Sequence, residues 1–508
     1  MDKFVVSSRN DGSGGRLICL INTIAIANML NIDFRFCWGS YQEVGGGTWG
    51  PNFFGDDKVR INGMSMGSVK DIFDEKFIAN HYIDKELGEK LGEYNTSSMS
   101  SNTLDSQNPL CYSIHKENNF ISFKTNFLQD EIKKFALVNQ TSDYAKHFCF
   151  DEKQSKEYKN ELKNAFNTIG FNQNIKNIIN KAKSLATKYL DNGGYSVLHF
   201  RAGDIVHTYS SIRLFGKEAI YKATNPSLAL HILKNSKDKI ILCSDDITTS
   251  KELIKIANNP NVIFVDDLRE TRNNIEAFYF DIIIMSMAKR LFGSLNSQMS
   301  RLCALINPDL VIKEIYEIFS LSDQLQIIKE TLPDLKNIPQ SCLAFVYFHK
   351  YILESKLNLG LNSVILNLNK AFLLDPLNSK YKIYEIKHLI QDDKLEMAEY
   401  VARSSMILEH NRFISILLKK LYYGYTMQDC HKILIENTNL NYLYLSYMSA
   451  RILYDVGNIQ CAKYITSKLI NTNNWYINEF TKKVLATKSE FDEKDKILEQ
   501  LIINNKIN

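Results

Sequence analysis

The sequence predicts an α/β fold: two units of alternating strands and helices over residues 1–310, then an all-α segment beginning near residue 325. Three observations predict it. Short apolar runs alternate with helical stretches, the pattern of a parallel sheet. A strand, a Gly-rich segment, a helix and a second strand follow one another at the N-terminus. Beyond about residue 325, strand-like runs give way to helical periodicity. The chain has 508 residues, 45% of them hydrophobic, enough for about three domains with real cores. The expected divisions are 1–185, 186–320 and 325–508.

The elements follow in order. Phe4-Val5-Val6 is a strand, Asp11–Arg16 a Gly-rich loop, Leu17–Leu30 a helix and Asp33–Phe36 a strand. Trp38–Phe54, dotted with Gly and aromatic residues, reads as a long loop that can close over a sugar. Residues 60–150 are poorly periodic, with a Ser/Asn/Thr-rich loop at Asn95–Asn108. Residues 155–190 give one or two Lys-rich helices, stopped at Asn192-Gly193-Gly194. The second unit has strands at Ser196–Phe200, Lys239–Cys243, Val262–Val265 and Arg290–Gly293. Helices are expected at 227–235, 248–258, 275–288 and 298–305.

In the helical segment Val364, Ala398, Cys430 and Ala462 recur at intervals of 34, 32 and 32 residues. Periods near 34 are similar to tetratricopeptide repeats, whose stacked helix pairs bury a continuous core.

Composition excludes several classes. Charged residues are 23% and aromatics 11%, unlike a disordered chain, and a net charge of +4 argues against a dedicated nucleic-acid binder. Nine widely spaced cysteines without a CxxC pair fit neither a disulfide framework nor a zinc ribbon. No signal peptide is visible, and apolar stretches such as Phe278–Met287 are too short to span a bilayer. The expectation is a cytoplasmic protein without a transmembrane segment, at most peripheral to the inner membrane.

The strongest chemical signal is His199-Phe200-Arg201-Ala202-Gly203-Asp204 at a strand's carboxyl end. An arginine at such a tip offers charge-assisted, bidentate bonds to a diphosphate, on which negative charge grows as a glycosidic bond breaks. His199 can hold a base or ribose, and Asp204 can orient Arg201 or take a proton. Asp281 can accept from the N1–H and amine of guanine. Ser297 and Gln298 open a helix whose free amides favour phosphate.

These blocks, with Ser13-Gly14-Gly15-Arg16-Leu17, resemble the fucosyltransferase superfamily over roughly residues 1–310. His199 to Asp204 match its HxRxxD motif. Asp281 and Ser297 keep its sixteen-residue separation, and Ser244-Asp245-Asp246 is similar to its short acidic turn. The resemblance implies a GT-B-like pair of Rossmann-type domains and an inverting transfer from GDP-fucose without cofactor or metal. It places His199 and Asp281 on guanine, and Arg201, Ser297 and Gln298 on the pyrophosphate. Gly14, Gly15 and Arg16 would line the donor–acceptor cleft, and Ser244 and Asp245 the donor site.

Two departures matter. The second Arg of the common HxRR form is Ala202, and the position of a proposed Glu base is Tyr209. The general base is therefore open among Asp11, Glu43, Asp204 and His207. Asp245-Asp246 lacks the spacing and neighbours of a metal site, and Gly12–Gly15 lacks the dinucleotide GxGxxG spacing.

The functional expectation is a bacterial fucosyltransferase of polysaccharide biosynthesis, acting on a surface glycan or glycoconjugate. The helical segment would hold the acceptor or a protein partner, or mediate self-association. The rivals are a transferase for another GDP- or UDP-sugar, and a repeat-based scaffold carrying an inactive transferase domain.

Overall fold

The computed structural model describes residues 4–7, 12–38, 67–83, 112–117, 120–125, 135–138, 151–207, 222–270, 273–294, 296–421, 424–469 and 472–487. They belong to two compact units: 1–208 with 220–339, and 209–219 with 340–508.

The first unit holds two parallel sheets. In the smaller, β1 (Phe4–Ser7) lies between β2 (Asp33–Phe36) and a strand inside the stretch that reads as aperiodic. Before that strand, β3 (Tyr112–Glu117) and β4 (Phe120–Thr125) form an antiparallel pair, and β5 (Phe135–Val138) then completes the sheet. The helix after β1 runs Ser13–Leu30, so Ser13-Gly14-Gly15-Arg16 is its first turn rather than the expected loop. Glycine costs about 1 kcal/mol against Ala in a helix interior, which hides this turn from a propensity reading. Packing supplies what propensity does not: the helix lies against the helices Glu152–Thr168 and Gln298–Ile306. It is long and apolar enough to cross a membrane, with mean hydropathy 1.3, yet 83% of it is buried inside the protein.

The larger sheet contains β6 (Ser196–Phe200), β7 (Ile240–Ser244), β8 (Val262–Phe264), β9 (Arg290–Gly293) and β10 (Val311–Glu314). Its order is β10-β9-β6-β7-β8, and every pair is parallel. β6 and β7 are buried at every residue, as expected of strands covered on both faces. The helix Gln173–Asp191 packs on Asn274–Ser286, and Pro226–Asn235 packs on Ile247–Ala257. The strand that comes first in the chain, β6, sits in the middle. Connections run one way from β6 to β8 and then jump back to β9. The topological switch thus lies between β6 and β9, where the carboxyl ends of a parallel sheet leave a crevice for ligands.

The second unit is helical among its described residues, apart from the short pair Lys420–Leu421 with Gly424–Tyr425. Val364, Ala398, Cys430 and Ala462 each lie near the start of a helix: Leu361–Leu374, Leu395–Leu417, Gln428–Glu436 and Ile459–Lys468. All four are buried, and the helix Leu395–Leu417 bends at Glu409.

Candidate active site

His199 lies one residue before the end of β6, and its Nδ1 is 3.0 Å from Ser300 Oγ, in the first turn of the helix Gln298–Ile306. This contact joins the β6 tip to the helix that follows β9. Gly293 makes the approach possible, because a β-carbon there would stand 3.1 Å from Ser300 Oγ and 3.3 Å from His199 Cβ. Burial, and then the Arg201 guanidinium, hold His199 down at about 3, so the ring is neutral at physiological pH.

Arg201 follows β6 directly, and Thr224 grips its backbone on both sides. The Arg201 N–H donates to Thr224 Oγ1 at 3.2 Å, and the Arg201 carbonyl accepts the Thr224 N–H at 2.7 Å. The same hydroxyl donates to the His199 carbonyl at 3.1 Å. Tyr316, just beyond β10, anchors this segment by donating to the Ala223 carbonyl and accepting the Asn225 N–H at 3.1 Å. None of Thr224, Asn225 and Tyr316 carries a local motif. Asn225-Pro226 signals only a helix start, and the structure uses it as one.

The strand expected at Arg290–Gly293 ends at Gly293. A turn follows, closed by the Ser297 N–H on the Ser294 carbonyl at 3.0 Å, and the helix begins at Gln298. Its opening amides have no intrahelical acceptor. Ser297 gives no side-chain cap, and its Oγ is buried without a hydrogen-bond partner among the described residues. Gly14 meets this helix tip to tip: a β-carbon at Gly14 would lie 3.4 Å from Gln298 Cβ and 3.6 Å from the Met299 nitrogen. Gly15 and Arg16 are buried, and the Arg16 guanidinium lies 5.2 Å from the Trp38 ring centroid. The structure therefore brings His199, Arg201, Ser297, Gln298 and Gly14 together at the switch between β6 and β9.

The acidic turn after β7 takes other positions. Asp245 Oδ1 accepts the N–H groups of Ala202 and Gly203, both at 3.0 Å, and so caps the short helix Gly203–His207. Ser244 Oγ accepts the Asp246 N–H at 2.9 Å. Asp246 is fully buried. It accepts from the Thr249 N–H at 2.9 Å and from the Thr249 hydroxyl at 2.5 Å, and pairs with His207 Nε2 at 2.7 Å. Burial pushes the Asp246 carboxyl up, but His207 and Thr249 outweigh it and hold the group below its ordinary value. These bonds let Ser244 and Asp245 build the strand tip. His207 is 1% exposed and bonded to a helix-capping carboxylate. Asp11, Glu43 and the side chain of Asp204 lie outside the described residues.

Asp281 sits on the helix Asn274–Ser286 and is buried between β7 and the helix Gln298–Ile306. After burial, its charge contributes to raising both Cys243, the register partner of His199, and Cys303. Its own carboxyl is pushed up to about 7 by burial, against the pull of Arg269. Arg269 Nε lies 3.4 Å from Asp281 Oδ1, yet neither atom has a hydrogen-bond partner among the described residues. The other face of the Arg269 guanidinium pairs with Asp266. Arg269 follows the turn Val265–Asp267 without any motif, and sequence reasoning missed it.

No protein-family model matches the chain, and no curated protein matches it in sequence. Solved structures do. The fucosyltransferase NodZ from Bradyrhizobium is 13% identical, with a TM-score of 0.30 over 61% of this chain and 94% of that one. NodZ alpha-1,6-fucosyltransferase crystallised with GDP is also 13% identical, with a TM-score of 0.29 over 61% and 93%. POFUT1 in complex with GDP is 10% identical, with a TM-score of 0.30 over 61% and 97%.

Proposed function

We propose that the first unit is an inverting glycosyltransferase of GT-B-like design, taking GDP-fucose as donor and a surface glycan or glycoconjugate as acceptor. One observation carries the reading: at the topological switch of a parallel sheet, His199 on the β6 tip contacts Ser300 in the first turn of the following helix, and Arg201 comes two residues after His199. The motif resemblance of His199–Asp204 and Asp281–Ser297 supports the choice of donor.

Arg201 and the opening amides of the helix Gln298–Ile306 would face the diphosphate, where charge accumulates as the sugar leaves. Ser297 Oγ, buried and unpartnered, would give it a hydroxyl. Neutral His199 and Asp281 would hold the base and ribose. The acceptor hydroxyl attacks the anomeric carbon, the bond to the diphosphate breaks, and a base takes the hydroxyl's proton. Asp11, Glu43, Asp204 and His207 stay the candidates for that base. In this proposal the protein works in the cytoplasm, and the helical unit, read as tetratricopeptide-like, serves the acceptor or a partner. The test is a donor screen that measures free nucleotide. GDP released from GDP-fucose supports the proposal. GDP binding without turnover of any donor favours the scaffold, and release of UDP from a UDP-sugar overturns the donor.

A further inference from the structure

Asp281 and Arg269 form an unusual buried pair. Both side chains are more than nine-tenths buried and lie within ion-pair range, yet each keeps an atom without a hydrogen-bond partner among the described residues. A structural ion pair in a buried site normally satisfies its oxygens and N–H groups, because desolvation makes an unmet one costly. Here Arg269 turns to Asp266, whose side chain is 26% exposed, and presents Nε toward Asp281 without closing on it.

We propose that Arg269 is a positioning residue for Asp281. Held by Asp266, its guanidinium stands beside the Asp281 carboxyl without bonding it, which leaves that carboxyl to a nucleobase edge that bears N–H donors. This rests on the nucleotide-sugar reading above and adds to it a residue that no motif marks.

The groups around Asp281 leave this role to Arg269. Cys243 on β7 and Cys303 on the helix Gln298–Ile306 are both raised by burial and stay uncharged thiols, and Asp266 faces Arg269 rather than Asp281. Among the described residues, Arg269 is the one charge acting on the Asp281 carboxyl, and it pulls against burial. A base that donates N–H groups needs the ionised carboxylate as acceptor. Binding should therefore strengthen as pH rises through the Asp281 transition.

The test uses the full chain with aspartate 13C-labelled at the carboxyl carbon and follows Asp281 by NMR without nucleotide. Four proteins are compared: wild type, Arg269→Gln, Arg269→Lys and Asp266→Asn. The transition should move to higher pH in Arg269→Gln, stay near wild type in Arg269→Lys, and move to lower pH in Asp266→Asn, where Arg269 loses its competing partner. Coincident transitions in wild type and Asp266→Asn would overturn the proposal, even where Arg269→Gln fails to fold. GDP is then titrated at about pH 6 and about pH 8, on either side of the Asp281 transition near 7. Arg269→Gln should weaken GDP binding by about tenfold at the lower pH, the size of a lost hydrogen bond to a charged group, and recover most of it at the higher pH. A loss equal at both would show a purely structural role. Wild type that fails to bind GDP would sink the nucleotide reading, while the carboxyl titration still decides what Arg269 does.

Discussion

Two buried carboxylates of the first unit have opposite fates. Asp246, after β7, has its oxygens engaged by Thr249 and His207 and is held below its ordinary value. Asp281 keeps an oxygen without a hydrogen-bond partner among the described residues and is pushed up to about 7. Burial is the largest influence on both, so burial does not separate them. What separates them is whether the protein itself supplies the hydrogen bonds. A saturated carboxylate is part of the scaffold. A buried one with an unmet oxygen calls for an explanation that the scaffold alone does not supply.

The comparison can be broken at several points. The largest expected effect is on turnover. Arg201→Ala should lower the transfer rate by about 10²-fold or more through loss of charge stabilisation at the diphosphate, measured as GDP release. Near-normal turnover would remove Arg201 from the site. On the scaffold side, His207→Ala leaves Asp246 buried without its partner and should destabilise the first unit by about 3 kcal/mol, read by denaturant titration. An unchanged midpoint would show that Asp246 is not the saturated member of the comparison.

Asp281→Asn should do the reverse. Its folded state should be as stable as wild type or more so, since burial opposes its charge, while GDP affinity falls by about tenfold. A variant that loses stability but keeps GDP would exchange the two roles. The smallest effect is expected at Thr224. Thr224→Val removes the hydroxyl bonds to Arg201 and His199 and should reduce catalysis by about tenfold, with Thr224→Ser restoring it. Equal rates in the two variants would show that the grip on the β6 tip is incidental.

How much of this was legible in the sequence follows the physics of each element. β6 and β7 were legible because strands buried on both faces are continuous apolar runs. β10, at the sheet edge, was not: Val311-Ile312-Lys313-Glu314 alternates exposed and half-buried positions and looks like a loop. β5 was hidden in a segment without periodicity. The first turn of the helix Ser13–Leu30 was hidden by its own glycines. At the candidate site, His199, Arg201 and Ser297 stood out because they lie in blocks of fixed spacing. Thr224, Tyr316 and Arg269 did not. Each acts from far along the chain, and only the folded sheet brings it to the tip it supports. Ser244, Asp245 and His207 lie in the motif's neighbourhood, and their hydrogen bonds run to the turns that follow β6 and β7.

The most direct test is calorimetric titration of the purified full chain with GDP and, separately, with UDP, on wild type and on Arg201→Ala. The account predicts that wild type binds GDP in preference to UDP and that Arg201→Ala loses most of that affinity. Wild type that binds neither nucleotide, or an Arg201→Ala variant that binds GDP as tightly as wild type, would contradict it.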